Sequence, residues 1–382
     1  MNPLARFAAM VYVEESAAKF RSQIISQNDK ALRTVSKAYR DSWRRVSGQL
    51  DQVTKQIQAA QAIGKSSTLR VPGSKVALKP NEFSINWLAR QARYKALLTQ
   101  MESELGKLAK LGAATTTDQQ QAALDLTLSH SRDLLKSAVG TPPPGLGISL
   151  NHAPTEALTN LVGVLQDGSP VAALFDQFPA AVIQGVKDTF KTSLIEGWGP
   201  RKLAAQIKRA YGEGLTHTLL TCRTETMRAY NTGAHETYKA NSRVCNGWIW
   251  LCARSKRTCS ACWGMDGSFH TLDERLTDHP GGRCVQICST RPWKEIYPNQ
   301  DVSGVKETST QPWEPEKFFS KLSVSDQRHV LGRSRYEAWK AGSLRLRDIP
   351  RTNSSKIWGD SVRPGTLKEL GVARAPRKQS TK

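Results

Sequence analysis

The sequence lacks the features of a membrane protein and of a disulfide-built secreted protein. No apolar run approaches the roughly 18 residues that a membrane-spanning helix needs, so we expect no membrane contact. The mildly apolar residues 1–13 run into Glu14 and Glu15 without a small-residue cleavage site, and we do not expect a signal peptide. All 7 cysteines lie between Cys222 and Cys288. Such clustering favours a metal site and synthesis in a reducing cytoplasm.

Motifs of several common enzymes are also missing. The chain has no His-Glu-x-x-His, no phosphate-binding glycine-rich loop and no Gly-x-Ser-x-Gly. The carboxylates of Asp266, Asp273, Glu274 and Asp278 are close in sequence, but carboxylates in a loop are usually only solvated. We therefore expect no enzyme activity and no catalytic residues.

Acidic residues are scarce relative to basic ones. The chain has 55 Lys and Arg against 33 Asp and Glu, a formal net charge of +22. Residues 1–110 carry 19 basic and 8 acidic side chains, and residues 328–382 carry 14 and 4. These cationic ends predict a polyanionic partner, with non-specific, salt-sensitive DNA binding as the expected form. The alternative is that they are solvated helical faces.

Apolar residues at steps of three and four predict two long helices, over residues 32–60 and 85–108. Turn-forming residues at 64–81 lie between them, which indicates a helical hairpin. Tyr39 and Trp43 accompany several arginines on the first helix, a mixture that is enriched at protein interfaces. The hairpin is therefore interpreted as a docking arm, with an ordinary helical domain as the alternative.

The rest of the chain predicts a mainly α protein with one small α+β module. Prolines at 142–144 must interrupt regular structure, and the helix after Pro200 is expected to end at Gly212 and Gly214. We predict five parts: an N-terminal helical arm or hairpin (1–140), a helical middle domain (150–243), a Cys/His module with short strands (244–298), a C-terminal helical unit (316–350) and a basic tail (351–382). The tail is expected to be mobile or ordered by a partner.

The Cys/His module carries the spacing of a zinc site. Cys259 and Cys262 form a Cys-x-x-Cys turn, His279 follows after sixteen intervening residues, and Cys284 follows after four more. Zinc favours such tetrahedral sulfur and imidazole ligands, and a metal would compensate for the few aliphatic residues in the intervening loop. The remaining candidate ligands are Cys252, Cys288 and His270. Disulfides and buried free cysteines are the alternatives.

Ordered motifs over about residues 186–349 resemble the phage head-morphogenesis (Mu F-like) family. The matching segments are Ile195-Glu196-Gly197-Trp198-Gly199, Arg223-Thr224-Glu225, Ala229-Tyr230-Asn231-Thr232-Gly233-Ala234, Arg257-Thr258-Cys259 with Cys262, Asp266-Gly267, His279-Pro280-Gly281-Gly282-Arg283-Cys284, and Gln327-Arg328-His329-Val330-Leu331-Gly332. The family commonly reads His-Pro-Asn-Cys-Arg-Cys, and Gly282 stands at the first of those cysteines. The fourth zinc ligand is therefore open between Cys284 and Cys288.

The resemblance implies a minor head (minor capsid) protein of a tailed phage. Such a protein would be made in the host cytoplasm, bind the portal protein or the major capsid protein during head assembly, and lie inside the head of the virion, in contact with packaged DNA or involved in its ejection. The alternatives are a zinc-dependent DNA-processing enzyme and a stand-alone DNA-binding protein. Arg223 and Glu225 are interpreted as a structural ion pair or cap, since a lone ionic pair on a helix is usually architecture, and a catalytic pair is the alternative.

Overall fold

The computed structural model describes residues 3–66, 69, 70, 77, 78, 88, 90–196, 198–303, 305, 310–355 and 358–374. The protein is mainly α, as predicted. The helices that the structure gives with bounds before residue 244 are α1 (Pro3–Ser66), α2 (Ala92–Val139), α3 (Thr155–Thr159), α4 (Val171–Glu196) and α5 (Pro200–Ala240). In the described part of the chain, no helix is both long and apolar enough to cross a membrane.

Short strands and helices make up most of the regular structure that remains. The strands are β1 (Leu69–Arg70), β2 (Ala77–Leu78), β3 (Cys245–Leu251), β4 (Phe269–His270), β5 (Val285–Thr290), β6 (Pro350–Ser355) and β7 (Gly359–Pro364). The helices are α6 (Ser260–Met265), α7 (Trp293–Ile296), α8 (Glu316–Phe319) and α9 (Val324–Lys340), followed by a 3-10 turn at Leu346–Asp348. Strands β1 and β2 pair in the connector expected at 64–81, much of which lies outside the described residues, as do residues 85–87.

The long helices extend beyond the segments predicted from periodicity. Helix α2 continues through the polar residues 115–121 because their polar groups find partners: Thr116 Oγ1 donates to the Gly112 carbonyl at 2.8 Å, and Gln120 Nε2 to the Val164 carbonyl at 2.9 Å. The helix ends at Val139, next to the predicted break. The predicted end at Gly212 and Gly214 is wrong, since α5 passes through both.

Gly214 serves close packing instead of helix termination. A Cβ atom at this position would lie 3.3 Å from Tyr39 Oη and 3.3 Å from Val182 Cγ2. A glycine inside a helix costs about 1 kcal/mol relative to alanine. Here the missing side chain lets a tyrosine and a valine approach the helix.

The chain divides into two compact units that each draw on separate stretches of sequence. The first contains Met1–Asn28, Asp118–Gly168 and Arg223–Lys382, and the second contains Asp29–Thr117 and Ser169–Cys222. In the second unit, the two predicted apolar stripes are buried together with residues of α4 and α5. This core includes Val35, Tyr39, Val46, Leu50, Leu97, Met101, Leu105, Val186, Phe190, Ile207 and Tyr211.

The position of Tyr39 corrects the interface argument made from the sequence. Tyr39 is only 5% exposed, and its hydroxyl lies 3.2 Å from Thr218 Oγ1. Trp43 is half-buried, with its ring 5.6 Å from that of Tyr211. Tyr39 thus packs inside the unit, and it is not available to a partner.

The first unit contains the predicted Cys/His module as a three-stranded antiparallel sheet of order β4-β3-β5. The few aliphatic residues of the intervening loop do not leave the module without a core, because aromatic residues and segments that follow it in the chain fill the interior. Trp248, Trp250, Trp263 and Trp293 are all at most 2% exposed. They belong to one buried cluster with residues such as Phe319, Leu331, Leu346 and Ile349.

The C-terminal region contains a β-hairpin that the sequence analysis did not predict. Strands β6 and β7 pair antiparallel from Pro350↔Pro364 to Ser355↔Gly359. Helix α9 lies within the predicted C-terminal helical unit, and Gly332 interrupts it at φ 70°. Residues 375–382 of the basic tail lie outside the described part.

Candidate metal centre

Two overlapping triads of possible metal ligands meet at Cys262. In the first triad the ligand atoms of Cys259, Cys262 and His279 all lie within 4.8 Å of one another, and in the second those of Cys262, Asp278 and Cys284 do. The Cys-x-x-Cys turn opens α6, where the Cys259 sulfur accepts a hydrogen bond from the Cys262 backbone N–H at 3.3 Å. The sequence-predicted residues are therefore brought together, with Asp278 added.

Asp278 organises the loop that carries the other ligands. Its Oδ1 accepts hydrogen bonds from the His279 backbone N–H at 2.8 Å and from the Cys262 thiol at 3.3 Å, and its Oδ2 accepts from the Cys284 backbone N–H at 2.9 Å. The side chain at position 282 has to be absent for this, because a Cβ atom on Gly282 would lie 2.0 Å from Asp278 Oδ2. The sequence predicts only a solvated carboxylate at Asp278, and the residue that could have indicated its role is Gly282.

Helix α5 holds this loop from the other side. Thr224 Oγ1 accepts a hydrogen bond from the Gly281 backbone N–H at 2.9 Å, and Asn231 Nδ2 donates to the Cys284 carbonyl at 3.0 Å. Residues seven apart lie on the same face of a helix, so one face of α5 fixes both ends of the segment 281–284. The helical motif and the cysteine motif therefore form one structural unit.

Hydrogen bonds within the cluster separate the pKa values of its members. The hydrogen bond from Cys262, together with His279, lowers the pKa of the Cys259 thiol to about 5. The bond with Cys259 raises the pKa of the His279 imidazole to about 9. Hydrogen bonds with Cys259 and with Cys284, together with burial, raise the pKa of the Cys262 thiol. Burial raises the pKa of the Cys284 thiol to about 11. A thiolate beside three protonated groups is a site where a cation can replace protons.

The separations within each triad are close to those around a small tetrahedral cation. Ligand atoms about 2.0–2.3 Å from a zinc ion are about 3.3–3.8 Å apart, so separations within 4.8 Å need only small side-chain movements. Sulfur and imidazole are the donors that zinc prefers. Apolar packing does not explain why the buried sulfurs of Cys262 and Cys284 lie beside the Asp278 carboxylate.

The other candidate ligands lie elsewhere in the first unit. Cys288 Sγ lies 2.8 Å from Cys245 Sγ inside the sheet. Cys252 is fully buried near Arg254, whose backbone N–H lies 3.4 Å from its sulfur. His270 stacks on Trp248, with ring centroids 4.3 Å apart. None of the three belongs to either triad of the described residues.

Asp266 and Gly267 have a structural role. The buried carboxylate of Asp266 accepts hydrogen bonds from the Cys252 backbone N–H at 2.9 Å, from Arg254 Nε at 2.9 Å and from Trp313 Nε1 at 2.8 Å. Gly267 has φ 82°, and a Cβ there would lie 2.3 Å from the Trp313 carbonyl oxygen. The Asp266 carboxylate therefore connects three segments of the chain through these hydrogen bonds.

Glu225 pairs with a different arginine from the one expected. Its carboxylate lies 2.7 Å from the Arg228 guanidinium, one helical turn along α5, and also accepts from Gln120 Nε2 at 3.2 Å. Burial raises the pKa of the Glu225 carboxyl, and Arg228 opposes that effect. Arg228 Nη2 in turn donates to the Val164 carbonyl at 2.6 Å. The pair is architectural, and it ties the 160–168 segment to α5.

The helical face, the Cys-x-x-Cys turn and the 278–284 loop all fall in one stretch of chain that can be compared with known proteins. Residues 184–291 match the family model described as Phage Mu protein F like protein. The predicted resemblance is confirmed over this segment, which is a little over a quarter of the chain. No curated protein and no solved structure matches the chain. The match supports a phage head-morphogenesis protein and favours a structural role over an enzymatic one.

Proposed function

We propose that this protein is a minor head protein of a tailed phage. It acts in head assembly at the portal or the inner capsid surface, and it lies inside the head. The observation that supports this proposal is that the Mu F-like match, residues 184–291, contains both the helical face of α5 and every ligand of the cluster. Such a segment would form a rigid assembly module.

The metal is a structural zinc ion bound by Cys259, Cys262, His279 and a fourth ligand from the 278–284 loop. Cys284, the predicted fourth ligand, and Asp278 both belong to the second triad. Either would connect α6 to the loop that α5 holds. The zinc would supply cross-linking of these segments, and the residues around it supply burial and hydrogen bonds.

The hydrogen bonds that the carboxylates of Asp266 and Asp278 already accept favour a structural zinc ion over zinc-dependent DNA processing. A hydrolytic zinc site needs an open coordination position and a carboxylate able to act as a base. Asp266 accepts three protein hydrogen bonds, and Asp278 accepts three. Neither is poised to take a proton from water.

Contact with packaged DNA is supported by a cationic stripe on α1 in the second unit. Lys30, Arg33, Lys37, Arg40 and Arg44 are exposed and follow steps of three and four, which places them along one helical face. Arg44 lies 2.9 Å from Asp41, whereas the other four have no ion pair among the described residues. Such a stripe neutralises phosphates without reading sequence.

Quantitative mass spectrometry of particles made from the genome that encodes this chain tests the proposal. We expect a fixed, low copy number in proheads and in DNA-filled heads. Absence from both particles would overturn the proposal. Metal-dependent cleavage of DNA by the purified chain, lost in a Cys259→Ser variant, would instead support the enzymatic alternative.

A further inference from the structure

Cys245 and Cys288 form a second sulfur pair in the first unit, apart from the metal-ligand cluster. Their Sγ atoms lie 2.8 Å apart, and both side chains are fully buried. Carbon atoms in van der Waals contact are about 3.5–4.0 Å apart, so these two sulfurs are closer than atoms that only pack against each other. A disulfide bond is about 2.0 Å long, and an approach of less than about 1 Å would therefore join them.

A β-bulge in strand β3 explains how these two residues meet. Cys245 lies opposite Thr290, and the register of β3 against β5 shifts directly after it, at Asn246. Cys288 is therefore a diagonal neighbour of Cys245. Diagonal residues of a regular ladder are about 7–8 Å apart, which is longer than the roughly 4.4–6.8 Å between the Cα atoms of a disulfide. A bulge bends the strand that carries it, which accounts for contact between two such short side chains.

The surroundings of this pair differ from those of the metal-ligand cluster. Tyr238, Val244 and Trp248 belong to the same buried apolar cluster as the two cysteines. Burial raises the pKa of the Cys288 thiol, and so does the neighbouring Cys245. Neither cysteine belongs to a triad of possible metal ligands among the described residues. The pair therefore suits a covalent bond between its two sulfurs better than it suits a cation.

We propose that Cys245 and Cys288 are a site of disulfide formation, with a small-molecule disulfide such as oxidised glutathione as the oxidant. One cysteine sulfur attacks the oxidant, breaks its S–S bond and releases one glutathione thiol. The second cysteine sulfur attacks the resulting mixed disulfide and releases the second glutathione thiol. The two protein thiols lose two electrons and two protons in total, and these convert the oxidant into two thiols.

Burial determines when this bond forms. An oxidant reaches fully buried sulfurs only when the strands open locally or before the chain has folded, and the thiolate, not the thiol, is the nucleophile. In a reducing cytoplasm the pair therefore stays as two thiols. In an oxidising medium it closes slowly and links β3 to β5, the strand that begins directly after Cys284. The inference does not depend on the proposed role in the phage head.

Peptide mapping of the full-length chain tests the site. Reduced chain is incubated with oxidised glutathione, and a second sample is produced in cells with an oxidising cytoplasm, so that it folds while the sulfurs are still accessible. Free thiols are alkylated, and the peptides are identified by mass spectrometry without reduction. We expect one peptide pair linked through Cys245 and Cys288, slowly in the first sample and completely in the second, with zinc content unchanged by the oxidation.

Two results of this mapping would overturn the proposal. The first is absence of the link from both samples, because access to the sulfurs does not limit the reaction in the chain that folds under oxidising conditions. The second is a link from Cys245 or Cys288 to a different cysteine, because the observed contact would then not direct the reaction.

A matched pair of variants separates this bond from other effects of oxidation. Cys288→Ser removes one sulfur of the pair, whereas Cys222→Ser changes a buried cysteine of the second unit. A link between positions 43 residues apart restricts the unfolded chain, so the oxidised wild type should unfold at a higher denaturant concentration than its reduced form. That shift should persist in Cys222→Ser and disappear in Cys288→Ser, each compared with its own reduced form. An equal shift in both variants would reject the pair as the modified site.

Discussion

Asp278 and Gly282 depend on each other, because the Asp278 carboxylate occupies the space that a side chain at position 282 would need. The carboxylate of Asp278 fills the space at position 282, where a Cβ atom would lie 2.0 Å from Oδ2 and 2.1 Å from Cγ. At the same time this carboxylate lies among the metal-ligand sulfurs. The resemblance found in the sequence places a cysteine where Gly282 stands, and we expect the Asp278 carboxylate to be able to replace the donor of that cysteine.

A ligand exchange follows from this relationship. Gly282→Cys alone should weaken zinc binding, because the new side chain displaces the Asp278 carboxylate from its three hydrogen bonds. The double variant Gly282→Cys with Asp278→Ala should recover most of the affinity, since the cysteine then has space and replaces the lost donor. Competition with a chromophoric chelator measures both.

The matched single variant Asp278→Ala is the control for the exchange. It should bind zinc more weakly than the double variant, and cobalt-substituted protein should show stronger thiolate-to-metal absorption in the double variant. Equal affinities for the single and double variants would show that position 282 cannot supply a ligand.

Removal of Cys259 should release the metal without unfolding the first unit. Freshly reduced wild-type protein is expected to contain about one zinc per chain, and Cys259→Ser to contain little. The buried tryptophans and the segments after residue 313 provide a core that does not depend on the ion. Elemental analysis with near-ultraviolet circular dichroism checks both statements, and metal-free wild-type protein would contradict the first.

Gly233 tests the close approach of α2 and α5. A Cβ at this position would lie 2.2 Å from Thr127 Cγ2, inside the first unit. Gly233→Ala should therefore destabilise by about 1–3 kcal/mol through overpacking. Gly48→Ala on α1 is the matched control, because nothing lies within 4 Å of its Cβ. That variant should gain about 0.5–1 kcal/mol from helix propensity, and denaturant unfolding of both distinguishes packing from propensity.

Local patterns predicted much of the helical structure, whereas contacts between distant segments decided the rest. In the stripes that contain Val35 and Leu105, apolar residues recur at helical spacing, so the sequence predicts that they are buried together. From the sequence alone, Gly214 indicates a helix end. In the structure it leaves room for Tyr39 to pack against the helix. The Cys-x-x-Cys spacing identified the cluster, but the role of Asp278 depends on a contact with position 282 that sequence spacing does not reveal.

The ion pair of Glu104 and Arg45 predicts a pH-dependent stability of the second unit. Arg45 Nε donates to Glu104 Oε2 at 3.0 Å, and this bond lowers the pKa of the Glu104 carboxyl from its ordinary value of 4.5. Because the folded pKa is lowered, the stabilisation is present above pH 4.5 and is lost as the pH falls below it. Glu104→Gln should lower the unfolding midpoint at pH 7, and the difference should shrink in acid.

Glu102→Gln provides the control for this titration. Glu102 is an exposed carboxylate on the same helix, two residues before Glu104. Its replacement should have little effect on the unfolding midpoint at either pH. A Glu104→Gln penalty that persists unchanged at pH 3 would show that packing, and not the charge, accounts for the loss.

The cationic stripe on α1 predicts how DNA affinity depends on salt. Arg33→Gln, Lys37→Gln and Arg40→Gln together remove three exposed cations from one helical face. Each phosphate contact contributes about 0.9 to the slope of log affinity against log salt concentration, so the triple variant should bind double-stranded DNA more weakly and with a slope reduced by up to about 2.7. A variant with Lys187, Lys191 and Lys208 changed to Gln removes the same charge from exposed positions on α4 and α5. If both triple variants lose the same slope, net charge and not the stripe governs binding; if neither does, DNA contacts another part of the chain.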